Sequence, residues 1–342
     1  MERQEVKELM DKGTFEERPI HGALEETNIS WVILSRSHAF KIKKSIKLSF
    51  LDYSTLELRK KYCEKELVLN RRFSPIYLSV QPIFLLSDNW SIGEGQGEIK
   101  DYAVCMKRMQ SQKRMDVLLK QNKVSPSSIS LLANQVAEFH KKAEIITKDH
   151  NQEQAMGIFN DLNSVQEVVY KEFGRDYLEI IPKLISWSDR FLETHGKRLL
   201  ERSWEGFIRD VHGDLHSGNI FLYQNPIIFD CIEFRDEFRQ IDVLYEIAFF
   251  CMDLEFYGRK DLSDLFFESY SKILKCCPKE EDLTIFLYYK SLRANVRAKV
   301  FLLNSLSEQN QEKRTQELAK GKKYLDLAME YRRNLLETLS KI

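Results

Sequence analysis

The stretch VHGDLHSGNIFLYQNPIIFD, residues 211–230, decides how the chain is read. Its segment His212 to Asn219 holds two histidines, an aspartate and an asparagine. Packing alone rarely requires such a density of titratable groups. Three readings compete: a metal cluster built on H-x-D-x-H, a catalytic loop, and a polar turn ahead of a hairpin. The second half of the stretch narrows the choice. NIFLYQNPIIFD carries two apolar runs around QNP and so reads as a short β-hairpin. Asp214 then stands in a loop, Asn219 enters the hairpin and Asp230 leaves it.

Phosphoryl transfer in protein kinases uses the same three parts at this spacing. A carboxylate must touch the hydroxyl that attacks. An asparagine one loop further on must touch a Mg²⁺ held on the phosphates, and a hairpin returns a second carboxylate to that ion. Oxygen ligands suit Mg²⁺, which keeps several waters and needs few protein groups. Asp214 is thus the candidate base, and Asn219 and Asp230 are the candidate metal ligands. A polar turn does not require all three together.

The same chemistry needs a strand lysine on the α- and β-phosphates, held by a glutamate on a helix. AFKIKK (39–44) followed by YCEKELVLN (62–70) offers both in that order. Ala39, Lys41 and Lys43 share one face of the strand, and Phe40 and Ile42 the other. Lys41 is the first choice and Lys43 the alternate. Glu64 and Glu66 lie about 200° apart on a helix, so one of them faces the strand. Taken alone, a basic strand and a charged helix face are more commonly just solvated surface. The set Asp214, Asn219 and Asp230 lifts them above that.

Composition agrees with a globular protein. The chain has 342 residues, 43% hydrophobic and 30% charged, with 52 basic residues against 52 acidic. The balance gives no argument for a nucleic-acid or membrane partner. The six cysteines show no C-x-x-C spacing, which fits free thiols in a reducing, cytoplasmic setting. MERQEVKELMDKG is charged throughout and unlike a secretory signal. No apolar run approaches the roughly 18 residues of a membrane span.

Along the chain, residues 1–18 read as a short polar helix. Residues 29–44 read as a hairpin around SRSH, and STLELRKKYCEKELVLNRRF as a helix capped by Ser54 or Thr55. LSVQPIFLLS and EIKDYAVCMKRM read as strands joined by the Gly-rich DNWSIGEGQGEIK. The GEGQG within it, residues 93–97, runs into a strand and not a helix. It is read as a hairpin tip and not as a phosphate loop. From about residue 111 the periodicity turns helical. The expected class is α+β, with a β-rich lobe over residues 1–110 and a mostly helical lobe over 111–342.

HGDLHSGN, IIFDCIEF and IDVLYEIAF resemble the catalytic loop, metal-binding strand and following helix of the aminoglycoside phosphotransferase superfamily. ETNISWVIL, AFKIKKSIKLSFLDYSTLELR, CEKELVLNRR and YKSLRANVRAKV are similar to a poorly characterised bacterial branch of it. The resemblance spans roughly residues 20–305. It implies a bilobal, protein-kinase-like fold and an ATP- and Mg²⁺-dependent transferase that phosphorylates a hydroxyl of a small molecule. Some members of that branch are fused to a P-loop kinase domain. No G-x-x-x-x-G-K-S/T occurs here, so that partner is expected to be absent. The resemblance makes His212 a brace of the loop and Asp242 the clamp of the loop backbone. It places the adenine beside residues 105–109, which include Met106 and Arg108.

The sequence departs from the superfamily at Glu246, where Asp is usual, and at Ser217, where Pro is common. No G-x-G-x-x-G precedes the lysine strand, so Thr27, Asn28 and Ser30 are the candidates for phosphate contact in its place. Glu233 is either a site residue or a partner for Arg239. Lys290, Arg293 and Arg297 share a helix face at i, i+3, i+7. They either hold an anionic acceptor or pair with the helix of Glu246. Two alternatives stay open: a non-catalytic nucleotide-binding scaffold, and a metal-dependent hydrolase using H-x-D-x-H. For the hydrolase, His38, His140 and His150 supply no comparable second cluster.

Overall fold

The computed structural model describes residues 1–149 and 151–339, which leaves His150 outside. The chain forms two compact units. The first comprises residues 1–118 and 218–239, and the second 119–217 and 240–342. The hairpin segment therefore belongs with the β-rich unit, whereas the sequence boundary at 110/111 assigned it to the helical one. Its apolar strands pack with that sheet's residues: Ile227 and Phe229 join a cluster with Ala39, Tyr77 and Val104.

In the first unit, helix α1 (Arg3–Lys12) precedes the short strands β1 (Thr14–Phe15) and β2 (Arg18–Pro19). The reading of 1–18 as one helix is thus too long. Gly13 ends α1, its N–H donating to the Leu9 carbonyl. Then come β3 (Ala23–Glu26), β4 (Ser30–Leu34), β5 (His38–Lys43) and the two-residue strands β6 (Lys47–Leu48) and β7 (Leu51–Asp52). Helix α2 (Leu56–Asn70) starts at Thr55, whose Oγ1 accepts from the Leu58 N–H at 3.2 Å. This is the expected cap. Strands β8 (Tyr77–Leu86), β9 (Asn89–Ile92) and β10 (Glu98–Lys107) complete an eight-stranded sheet in the order β2-β1-β9-β8-β10-β5-β4-β3.

The period of two along β5 divides the unit's interior. Phe40 and Ile42 pack with Val6, Leu9, Trp31 and Trp90 on one face. Ala39 packs with Cys63 of α2 on the other, the face that also carries Lys41 and Lys43. Residues 93–97 are not a hairpin tip. Both β9 and β10 pair with β8, so this stretch crosses from one side of β8 to the other. Gly97 adopts φ +106°, and a Cβ there would meet the Leu85 carbonyl oxygen at 2.3 Å, so glycine serves the crossing. Strands β11 (Ile208–Asp210) of the second unit and β12 (Ile220–Leu222) and β13 (Pro226–Ile228) of the first follow later in the chain.

The second unit is built from helices. The chain enters it within α3 (Met115–Lys120). Helix α4 (Pro126–Lys142) is capped by Ser125, whose Oγ accepts from the Ser128 N–H at 3.2 Å. Helices α5 (Gln152–Asn160), α6 (Gln166–Phe173), α7 (Arg175–Leu178) and α8 (Ile180–Trp204) follow. Strand β14 (Gln240–Asp242) pairs antiparallel with β11 and leads into α9 (Val243–Phe256). Then come α10 (Lys260–Ile273), α11 (Glu280–Ser307) and α12 (Gln311–Leu339). One core joins α5, α6, α8, α9, α11 and α12 through Phe159, Val169, Trp187, Phe249, Tyr288 and Leu325. No helix among the described residues is long and apolar enough to cross a membrane.

Candidate functional site

In the first unit, the sheet, α2 and the returning hairpin bring five charged groups together. Lys41 Nζ lies 2.8 Å from Glu66 and 2.5 Å from Asp230. Lys43 Nζ lies 2.7 Å from the other oxygen of Glu66 and also donates to Glu233. The Tyr53 hydroxyl donates to Glu233 at 2.6 Å. The helix glutamate on the strand lysines is therefore Glu66, which is fully buried. Glu64 is exposed beside Lys60. Glu233 takes Lys43 and Tyr53, while Arg239 donates to Asp236 and the Ile232 carbonyl.

The electrostatics follow from burial opposed by proximity. Burial pulls Lys41 down, but Asp230, Glu66 and Glu233 outweigh it and hold its pKa well above the ordinary lysine value. Lys43 is raised in the same way by Glu233 and Glu66. Burial pushes Glu66 up, yet Lys41 and Lys43 more than reverse that, and it stays ionised. Burial and the neighbouring carboxylates push Tyr53 up, so it serves as a neutral donor.

The hairpin sets the position of the remaining pair. Ile220 faces Ile228 across β12 and β13, and the Phe229 N–H donates to the Asn219 carbonyl at 3.0 Å. Asn219 and Asp230 consequently stand at the same end of the ladder. Asp230 adopts φ +63°, a conformation rare for a side chain other than Gly. Its N–H is held by the Tyr77 hydroxyl at 2.9 Å, and the next N–H by Asn70 Oδ1 at 2.8 Å.

A cavity of about 240 Å³ in this unit is lined by Val32, Ala39, Lys41, Met106, Asn219 and Asp230, among others. Its apolar walls joined to a few charged groups are what a small-molecule site needs. Thr27 also lines it, whereas Asn28 is exposed and Ser30 buried. Arg108 is committed elsewhere: its N–H donates to the Ser37 carbonyl and its guanidinium to the Ser35 carbonyl at 2.7 Å. It pins the β4–β5 turn. Residues 93–97 do not line the cavity.

In the second unit, the loop around Asp214 is held by acceptors on α9. The His212 and Gly213 N–H groups donate to the two oxygens of Glu246 at 3.0 and 2.9 Å. The Ser217 N–H donates to Asp253 at 2.8 Å. This corrects the role given to Asp242. Both oxygens of that carboxylate accept from the Arg202 guanidinium, at 2.7 and 2.8 Å, and Asp242 caps α9 by accepting from the Leu244 N–H. The longer Glu246 side chain does the clamping instead. His212 Nδ1 accepts from the Asp214 N–H at 3.2 Å, so His212 braces the turn. Among the described residues no three His, Cys, Asp or Glu side chains converge as a metal-binding group, so H-x-D-x-H builds no such cluster.

The Asp214 carboxylate lies 3.4 Å from His216 Nε2 and 3.7 Å from Arg293. Burial raises its pKa, but His216, Arg293 and Arg297 more than offset this and hold it below the ordinary aspartate range. Lys290 is spent on Glu255 at 2.6 Å.

Glu246→Gln replaces one of the two acceptor oxygens with an amide that faces a backbone N–H. The expected cost is about 1–3 kcal/mol, read by denaturant unfolding. Two signals for this clamp are visible in VLYEIAFFCMDLEF. Glu246 and Asp253 are acids seven residues apart in a run whose one other acid is Glu255, hence on one helix face. Tyr53, Asn70 and Tyr77 carried no such local signal.

No family model matches the chain. Uncharacterised proteins of Mycobacterium bovis and Mycobacterium tuberculosis are 30% identical over 281 residues, 80% of this chain and 53% of theirs. The chain spans about half the length of these curated relatives. Among solved structures, choline kinase from Cryptosporidium parvum aligns over 92% of this chain and 90% of its own, at a TM-score of 0.55 and 10% identity. A GDP complex of a point mutant of aminoglycoside 2'-phosphotransferase-IIIa aligns over 92% and 91%, at 0.51 and 15%. A choline/ethanolamine kinase family protein from Mesorhizobium loti aligns over 96% and 99%, at 0.50 and 12%. At such identities the likeness is one of fold. The chain has the α+β, protein-kinase-like fold that aminoglycoside phosphotransferases and choline kinases share.

Proposed function

We propose that the protein is an ATP- and Mg²⁺-dependent phosphotransferase that moves the γ-phosphoryl group to a hydroxyl of a small-molecule acceptor. The observation that carries this is the joining of Lys41 to Glu66 and Asp230 at a cavity that Lys41, Asp230 and Asn219 line. Lys41 binds the phosphates and Glu66 orients it. Apolar walls including Val32, Ala39 and Met106 take the base.

The residues present fit a divalent cation. Lys41 and Lys43 face Glu66, Asp230 and Glu233, so the cluster has one more carboxylate than ammonium. Asp230 is its half-exposed member, and Asn219 adds a neutral oxygen, a donor set suited to Mg²⁺. Asn219 and Asp230 would hold the ion, which when bound neutralises charge on the phosphates. Asp214 orients the acceptor hydroxyl and takes its proton, while Glu246 and Asp253 keep the loop in place. Catalysis is then mostly positioning and charge stabilisation.

The test is thermal shift with ATP, with and without Mg²⁺. A ligand at about 100 times its Kd stabilises by ~2.7 kcal/mol. Asp230→Asn should abolish the Mg²⁺-dependent part of the shift and keep the shift with ATP alone. An undiminished Mg²⁺-dependent shift in that variant overturns the metal assignment.

A further inference from the structure

The carboxylates of α9 that could have neutralised the arginines of α11 are already engaged. Glu246 holds the His212 and Gly213 N–H groups, Asp253 holds the Ser217 N–H, and Glu255 takes Lys290 and the Tyr331 hydroxyl. Arg293 and Arg297 are left with little. Arg293 makes one long hydrogen bond, 3.4 Å to the Tyr245 hydroxyl, and stands 3.7 Å from Asp214, beyond hydrogen-bond reach. Arg297 donates to the Tyr324 hydroxyl and feels the Asp214 and Asp253 carboxylates from further off. In both, Nε is buried without a hydrogen-bond partner. The guanidinium of Arg293 lies 3.5 Å over the Phe249 ring, and that of Arg297 4.7 Å over Phe301.

Stacking fixes each guanidinium plane and leaves in-plane donors unused. A guanidinium has five N–H donors in a planar fork, and burying them unpaired is costly. An oxyanion approaching in that plane would satisfy them. Asp214 is the nearest carboxylate, and its side chain remains 37% exposed.

We propose that Arg293 and Arg297 anchor an oxyanion of the acceptor, carboxylate or phosphate, so that the substrate is a hydroxylated anion. The inference rests on the reading of Asp214 as the residue that receives the acceptor's proton. A cationic acceptor would meet the guanidinium groups of Arg293 and Arg297 beside Asp214 and be repelled.

The test is saturation binding of five probes to the full chain by isothermal titration. Gluconate and glucose 6-phosphate are the anions, glucose is the neutral probe, and glucosamine and choline are the cations. At least one anion should bind more tightly than every other probe, and Arg297→Gln should weaken it about ten- to a hundred-fold. Should that variant fail to fold, Arg293→Lys takes its place, since it keeps the charge and loses the planar fork. A cation bound more tightly than both anions, no saturable anion binding, or anion binding unchanged in the folded variant overturns the proposal. Phosphoryl transfer is scored separately. If Asp214→Asn turns over ATP as fast as the unmodified chain, the phosphotransferase reading fails, whatever the probes show.

Discussion

Asp214→Asn should lower phosphoryl transfer from ATP to a hydroxyl acceptor by about 10²- to 10⁴-fold, while thermal protection by nucleotide persists. The fold survives because the isosteric amide keeps the shape of the Asp214 side chain. Its loop is held through backbone N–H groups by Glu246 and Asp253. Lys41, Asn219 and Asp230, to which nucleotide binding is proposed, belong to the other unit. A carboxylate held below its ordinary pKa is a weak base in the ground state. That suits a loose transition state, in which the hydroxyl becomes acidic only as the phosphoryl group arrives. Because its pKa is lowered, Asp214 stays ionised as the pH falls to about 4. An acidic limb of the rate profile above that pH must therefore come from another group. Wild-type turnover in Asp214→Asn would remove the residue from the chemistry.

Lys43→Met should cost about 3–5 kcal/mol of stability, measured by urea unfolding. Lys43 is fully buried and serves two buried carboxylates, Glu66 and Glu233. Its removal leaves Glu66, Glu233 and Asp230 with Lys41 as the remaining ammonium of the cluster. The loss should depend on pH with a defined sign. In the intact protein the folded pKa of Glu66 is lowered. Its stabilisation is complete above the unfolded value of about 4.3 and is lost as the pH falls through the folded value. In the variant the carboxylates are poorly compensated and take up protons more readily. The difference between the two proteins is thus largest at neutral pH and shrinks below about pH 4–5. Adding Glu233→Gln should recover part of the loss, and strict additivity of the two changes would show that the pair is not coupled.

The residues that declared themselves in the sequence did so through spacing within one element. Asp214, Asn219 and Asp230 are linked by a hairpin whose ladder aligns the last two. Lys41 and Lys43 share a face because a strand has a period of two. What stayed hidden depended on contacts between distant elements. Glu64 and Glu66 were equivalent until α2 packed on the sheet. Asp242 and Glu246 both begin α9, and only the reach of each side chain, with Arg202 waiting for one of them, separated cap from clamp. The crossing at residues 93–97 was misread because hairpin logic assumes that consecutive strands pair. Here β8 stands between them.

The chain visits the first unit twice, and this sets a timetable for its synthesis. Lys41 and Asp230 are 189 residues apart. At about 5–20 residues per second on the ribosome, the lysines emerge roughly 10–40 s before Asp230 and Glu233. In that interval Glu66 is the one carboxylate of the cluster already made, facing two lysines. The nascent sheet carries surplus positive charge in its interior and cannot close until the hairpin arrives. An early N-terminal folding intermediate is therefore expected to stay open on its lysine face, exposed to anions and to chaperones, until about residue 239 has been made.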